Sequence, residues 1–241
     1  GKDAASVAFF KRAIELDPDF AMAHKILGTV YSNFQERRLA EVYFRRGFEI
    51  RERVSQREQL DIASSYYSGI TGEVDQSIEN YELYKNLFPR EYSPANNLSV
   101  ILSSLGQYQQ SVETAEEARR RAPDHVLPIL NLSRAYEGLN RLDEARRLAE
   151  EGIARKMQHP RLAVVLYRIA FARGDVDGMR RQIEWTKGKA EEDLLVEQGH
   201  AAAFSGNLKA ARTHLQRAID GYRRRGLTDN VAATGGDVAL I

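Results

Sequence analysis

The sequence predicts an all-α protein built as a solenoid of antiparallel helix pairs. Two observations support this prediction: an internal period, and the placement of the prolines along that period. Gly72, Gly106, Asn140 and Gly174 follow one another at intervals of 34 residues. A fixed period of this size is typical of repeat architectures, in which each repeat buries its apolar face only against its neighbours. We therefore expect the 241 residues to form one row of stacked repeats.

The prolines all fall where a helix would begin or end. Proline fixes φ and lacks an amide hydrogen, so it is tolerated in the first turn of a helix and beyond a helix end. Three prolines follow a second helix of a pair and three lie in the first turn of a first helix: Pro18, Pro89 and Pro123, then Pro94, Pro128 and Pro160.

The periodic glycines separate the two helices of each pair. Glycine supplies the positive φ that ends a helix, and Asn140 is expected to do the same because asparagine tolerates that conformation. This spacing predicts second helices at residues 37–50, 74–87, 108–121 and 142–155.

The residues that recur at this period resemble the tetratricopeptide repeat family. The family pattern places Leu-Gly and Tyr on the first helix, and Ala and Phe on the second. The first repeat carries Leu27, Gly28, Tyr31, Ala40 and Phe44 at these positions. The resemblance implies an α-α superhelix with the first helices along a concave face.

On this alignment the chain divides into a partial repeat, six repeats and the start of a further helix. In chain order the segments are 1–20 (a second helix), 21–54, 55–91 (with a short insertion), 92–125, 126–159, 160–191, 192–225 and 226–241. The fifth repeat departs most from the pattern. It has Tyr167 and Met179 where small residues are expected, so we expect its helix pair to be splayed.

Composition and motifs argue against catalysis. The chain has no cysteine, which excludes disulfides, cysteine-bound metals and thiol chemistry. Its five histidines contain no pair three or four residues apart that could form a metal-binding helix face. Phosphate-binding loops, nucleophile elbows and dinucleotide fingerprints are absent from the sequence. We expect no enzymatic activity and no cofactor.

Charge points to neither nucleic acid nor membrane as a partner. The 35 Lys and Arg residues nearly balance the 34 Asp and Glu residues. The basic runs 119–121 and 223–225 end second helices, where cations favour the negative end of the helix dipole. Apolar stretches are too short to span a bilayer. We expect a cytoplasmic location, or an extracytoplasmic one if a parent chain carries an upstream transmembrane segment.

The family register implies which side chains line the concave groove. We expect this groove to bind a protein or peptide, acidic or extended in character. The residues at its positions are Lys25, Tyr66, Asn96, Asn97, Asn131, Arg134, Arg161, Arg168, Phe171 and His200.

Part of this set resembles the carboxylate clamp found in some family members. Asn97 and Asn131 stand at a position where those members carry an asparagine, and an amide side chain can pair with any peptide backbone. The remaining clamp positions differ, with Asn96, Val100 and Arg161 among them. The alternative is that these side chains are solvated or bond only to neighbouring helices.

Two further expectations concern the wider protein. Because both ends of the sequence fall inside a repeat, Phe9, Phe10, Val238, Leu240 and Ile241 predict exposed apolar ends and self-association. Residues 51–100 also resemble repeat regions attached to bacterial serine/threonine protein kinases. That resemblance implies a regulatory or oligomerising arm of a signalling protein as the alternative to an independent scaffold.

Overall fold

The computed structural model describes residues 2–34, 36–157, 159–189 and 191–241, and the regular structure in these ranges is entirely helical. It divides into two compact units, Gly1–Ile101 and Leu102–Ile241. The first unit contains α1 (Lys2–Leu16), α2 (Ala21–Asn33), α3 (Arg37–Glu49), α4 (Gln56–Tyr66), α5 (Val74–Leu87) and most of α6 (Ser93–Ser104).

The second unit contains eight whole helices within the described ranges. These are α7 (Tyr108–Arg121), α8 (Val126–Gly138), α9 (Leu142–Ala154), α10 (Pro160–Ala172), α11 (Val176–Thr186), α12 (Glu192–Phe204), α13 (Leu208–Arg224) and α14 (Thr228–Ala239). In both units, helices joined by short turns pack against each other as pairs, for example α2 with α3 and α12 with α13. The predicted solenoid of helix pairs is confirmed.

The turn between paired helices has the predicted backbone geometry. Gly72, Gly106, Gly174 and Gly206 all have φ between 67° and 77°, and Asn140 has φ of 57°. Each of these residues ends one helix and lets the chain reverse into the next within a few residues. The second helices α3, α5, α7 and α9 accordingly begin and end within one residue of their predicted limits.

The starts of α4, α8 and α10 are capped by side chains. Ser55 and Glu58 form a capping box at α4, in which each side chain bonds to the other residue's amide. His125 and His159 cap α8 and α10, since the Nδ1 atom of each ring accepts a hydrogen bond from the amide two residues ahead. These two histidines therefore have a structural role that recurs in successive repeats.

Each unit has its own core between the helix layers. In unit 1 the side chains of Leu27, Tyr31, Ala40 and Phe44 form one cluster. In unit 2 the largest cluster joins α7 to α10 and includes Ile129, Leu132, Ala145, Leu162 and Ile169.

Small residues allow the paired helices to approach closely. A Cβ added at Gly28 would lie 2.7 Å from the Phe44 ring, and one at Gly199 would lie 2.6 Å from Leu215 Cγ. Leu215 is fully buried. Both glycines occupy the small position of the repeat pattern, so their missing side chains make room for the partner helix.

The predicted splaying of the fifth repeat is wrong. The helices α10 and α11 pack together, and a Cβ on Gly178 would lie only 3.0 Å from the Cβ of Ala170. Met179 joins Val164 and Tyr167 in a hydrophobic cluster. The repeat pattern expects a small residue at Met179. Gly178, one residue earlier, is the small residue that lets α11 approach α10 closely.

These contacts predict opposite effects for two glycine substitutions within helices. Gly199→Ala should lower the free energy of unfolding by about 1–3 kcal/mol, because the added methyl group overlaps Leu215. Gly235→Ala should raise it by about 0.5–1 kcal/mol, because no atom lies within 4 Å of the added methyl group and alanine favours the helix. Urea unfolding followed by circular dichroism measures both. Equal effects from the two substitutions would contradict the packing described.

Candidate functional site

A polar cluster lies among α2, α4, α5 and α6 of unit 1. The Nζ atom of Lys25 lies 2.9 Å from Oδ2 of Asp61, and only 12% of each side chain is exposed. The second carboxylate oxygen, Oδ1, is buried and has no hydrogen-bond partner among the described residues. Lys25 is therefore already neutralised inside the unit, which leaves little of its charge for a partner.

The two asparagines of α6 are also engaged within this cluster. The Nδ2 atom of Asn97 donates to the hydroxyl of Tyr81 at 3.3 Å, and Nδ2 of Asn96 donates to Oδ1 of Asn97 at 3.1 Å. Burial, with the nearby charge of Asp61, raises the pKa of Tyr81 strongly. The phenol therefore stays protonated at any ordinary pH.

Two of the predicted groove residues of unit 1 face elsewhere. Asn96 is only 4% exposed, so it packs inside the unit instead of lining an open surface. Tyr66 stacks on Phe48 of α3, with ring centroids 4.1 Å apart. A π-helical turn, Tyr67–Thr71, follows Tyr66 directly, and Ser65, the residue before Tyr66, hydrogen-bonds to Tyr81.

Three arginines lie near one another on α8 and α10 of unit 2. Arg168 binds Glu137 through two hydrogen bonds of 3.0 and 2.9 Å, and it also donates to Glu197 at 3.2 Å. Burial alone would lower the pKa of Arg168, but its bonds and charge interactions with these two carboxylates raise it. Arg168 is thus a firmly held cation, shared between α8, α10 and α12.

Arg161 and Arg134 differ from Arg168 in their pairing. Arg161 lies 3.6 Å from Oδ2 of Asp193, a looser contact. Arg134 is exposed and forms no hydrogen bond or ion pair with any residue that the structure describes. Partial burial lowers the pKa of its guanidinium, and the charges of Arg168 and Arg161 lower it further. The charge of Glu137 acts in the opposite direction and raises it. Arg134 is therefore a cation close to two other arginines and to Glu137, without a bonded carboxylate.

The remaining predicted residues of unit 2 lie on the same first helices. Asn131 is half-buried, three residues before Arg134 on α8. His200 of α12 is exposed, with Nε2 3.2 Å from Oδ2 of Asp237. Phe171 of α10 contacts Phe204 of α12 edge to face, with ring centroids 5.6 Å apart.

The acidic partners of these cations are not among the groove residues predicted from the sequence. Glu137 and Glu197 stand at groove positions of the family register, so the same register could have identified them. Asp61 could have been identified in another way, because it is an acidic residue between the apolar residues Leu60 and Ile62. An acid at such a site usually has a buried partner.

Hydrogen bonds and charge pairs hold the polar side chains of these surfaces in the described ranges. No cluster of three or more histidine, cysteine or acidic side chains that could hold a metal ion occurs in the ranges described. Within the same ranges, no helix is both long enough and apolar enough to cross a membrane. The basic run 119–121 is paired with carboxylates: Arg119 with Glu151, Arg120 with Glu116 and Arg121 with Glu117.

The buried pair in unit 1 gives a direct prediction about stability. Lys25→Met should lower the free energy of unfolding by about 3 kcal/mol, because it leaves the Asp61 carboxylate buried without its cation. The double variant Lys25→Met with Asp61→Leu should recover most of this loss.

A surface pair serves as the control for this experiment. Lys187→Met removes a cation from an exposed pair with Glu184 and should change the free energy of unfolding by less than about 1 kcal/mol. Urea unfolding of all four proteins measures the differences. A double variant as unstable as Lys25→Met alone would show that the buried charge is not the cause.

A family model described as "Tetratricopeptide repeat" matches residues 102–177. No curated protein matches the chain. The match lies outside residues 51–100, and neither it nor the structures below support a link to serine/threonine kinases.

Solved structures of low sequence identity share the fold. A tetratricopeptide repeat protein from Parabacteroides merdae aligns with a TM-score of 0.63 at 15% identity, covering 97% of this chain and 93% of that one. Pseudomonas aeruginosa pilF aligns at 0.57 and 15% identity, covering 90% and 97%. The human IFIT1 dimer with m7Gppp-AAAA aligns at 0.71 and 12% identity, covering 91% and 55%. Residues 102–177 therefore belong to the tetratricopeptide repeat family, and the chain has the fold of tetratricopeptide repeat proteins.

Proposed function

We propose that the chain is a non-catalytic protein-interaction scaffold, and that unit 2 binds an acidic segment of a partner protein. The observation that carries the proposal is the state of Arg134. It is exposed, it has no bonded carboxylate among the described residues, and the charges of Arg168 and Arg161 disfavour its charged form, opposed by the charge of Glu137. A carboxylate brought by a partner would offset this repulsion and complete the pairing.

The surroundings of Arg134 favour an acidic partner over a neutral one. Arg168 is already held by Glu137 and Glu197, which fixes its position and leaves Arg134 as the open member of the group. Guanidinium groups bind carboxylates through short, charge-assisted hydrogen bonds. Asn131 lies one turn away on α8, and an amide side chain both donates and accepts hydrogen bonds.

Unit 1 is a weaker candidate for the same role. Its cation Lys25 is paired with Asp61, and its asparagines bond to each other and to Tyr81. A partner would have to break these bonds before it could replace them. We therefore assign the peptide-binding role to unit 2.

An oligomerising or regulatory arm of a larger signalling protein is the second candidate. It is favoured by exposed apolar side chains near both ends of the sequence, since 68% of Phe9 and 89% of Leu240 are exposed. Light scattering separates the two candidates. A mass that rises with protein concentration, and that Phe9→Ser with Leu240→Ser reduces to the monomer, would favour the arm.

Binding of a labelled acidic peptide tests the proposal. The probe is fluorescein-labelled (Glu-Ser)4, followed by fluorescence polarisation at low salt. We expect Arg134→Ala to weaken binding about tenfold, which corresponds to the loss of one charge-assisted contact. Asn131→Ala with Arg134→Ala should weaken it further.

The matched control is Arg120→Ala in the same unit. Arg120 is largely exposed, and its contact with Glu116 is loose at 4.0 Å. Its substitution therefore removes the same charge from a surface away from the proposed site. We expect less than a twofold change in affinity. Unchanged affinity in the Asn131→Ala, Arg134→Ala double variant would contradict the proposal.

A further inference from the structure

A cavity of unit 2 lies between the start of α12 and the C-terminal half of α13. Its volume is about 340 Å³. Small-molecule sites in proteins occupy about 300–1,000 Å³, so this cavity is at the lower end of that range. Its lining contains three acids, the cations Lys189, Arg217 and Arg224, and one large apolar side chain, Leu195. Such a lining favours a small, strongly polar ligand.

The three acids of the lining are bonded within the fold. Glu191 accepts a backbone hydrogen bond of 2.6 Å from the loop before α12. Glu192 pairs with Arg225 at 3.2 Å, and Asp220 pairs with Arg223 at 3.3 Å. Two of the three acids are therefore offset by arginines that do not line the cavity.

The three cations of the lining are not bonded to carboxylates. Arg217 and Arg224 form no hydrogen bond or ion pair with any residue that the structure describes. They are seven residues apart, which is about two turns of α13, so both lie on one face of this helix. Lys189 approaches from the loop before α12, and its Nζ atom lies 3.4 Å from the centroid of the Trp185 ring. Cations from two different elements thus face the same cavity.

The charge balance around the cavity favours an anion. The lining side chains, together with the two arginines paired with its acids, comprise five cations and three acids. An anion with about two negative charges would offset this excess, because opposite charges at short range attract strongly where water is partly excluded.

We propose that this cavity binds the phosphate or diphosphate group of a small molecule. A phosphate monoester carries a charge of about −1.5 to −2 at pH 7 and has three acceptor oxygens, so it can bond to several of these cations at once. The planar guanidinium fork matches phosphate oxygens in geometry. A single carboxylate carries one charge and would leave part of the excess unbalanced. The site shares no side chain with the Arg134 group, and the inference does not depend on the acidic segment proposed above.

The only tryptophan of the chain reports on this site. A ligand that draws the Lys189 ammonium from the Trp185 ring into the cavity changes the environment of the indole. We expect inorganic pyrophosphate, titrated at constant ionic strength, to change the fluorescence of Trp185 along a saturable curve with a Kd below about 1 mM. Arg217→Gln and Arg224→Gln should each raise this Kd about tenfold, because each removes a charge-assisted contact.

The matched control is Arg180→Gln. Arg180 lies on α11, the helix that carries Trp185, and its exposed side chain pairs with Asp177. Its substitution removes the same charge near the same reporter, and we expect less than a twofold change in Kd. Arg134→Ala should bind pyrophosphate as the wild-type protein does, which separates this site from the proposed peptide site. Circular dichroism checks that each variant keeps its helices.

Three results would overturn the inference. If the fluorescence does not saturate, or if Arg180→Gln weakens binding as much as Arg217→Gln does, pyrophosphate is an adventitious ion only. If malonate binds as tightly as pyrophosphate, the cavity does not select phosphate. If a phosphoserine peptide binds more tightly than pyrophosphate and loses affinity in Arg217→Gln, the ligand is a phosphorylated protein segment and not a small molecule.

Discussion

The close approach of two helices within each repeat is the constraint on which the rest of the structure depends. Gly28 and Gly199 leave no room for a side chain, because the ring of Phe44 and the side chain of Leu215 occupy that space. With the pairs this tight, apolar and small side chains fill the layers between helices, and most charged side chains lie at the outward positions of each helix. The functional surfaces are therefore set by packing, and each first helix contributes one short row of polar groups to them.

Several cations in these rows are paired with carboxylates of the same unit, whereas Arg134 is not paired with any carboxylate that the structure describes. Lys25 is matched by Asp61, and Arg168 is matched by Glu137 and Glu197. Such pairs fix the relative positions of adjacent repeats, but they also reduce the charge available to a partner. A cation without a bonded carboxylate in this setting has electrostatic energy to gain from an external anion. The proposal of an acidic partner follows from this difference in pairing more than from the number of arginines.

The sequence predicts the helix limits and turn geometry well, because these depend on residues close together in the chain. Positive φ at Asn140 and the start of α5 at Val74 follow from local patterns. Side-chain pairing between repeats depends instead on how neighbouring helices rotate about their axes. Tyr66 stacks on Phe48 of α3, and Arg168 of α10 pairs with acids of α8 and α12, so the sequence pattern of a single helix predicts neither contact. In the fifth repeat, Gly178 restores a close approach that the large residues Tyr167 and Met179 had argued against.

The central claim is that Arg134, which lies beside the paired Arg168, is the cation of unit 2 that binds the partner's carboxylate. Nuclear magnetic resonance of the arginine Nε–Hε groups tests it most directly, because each guanidinium reports its own contacts. On addition of the (Glu-Ser)4 peptide, the Arg134 resonance should shift more than any other, while that of Arg120 should remain in place. Shifts confined to the outer arginines of α7 and α9, with the Arg134 resonance unchanged at saturating peptide, would contradict the account.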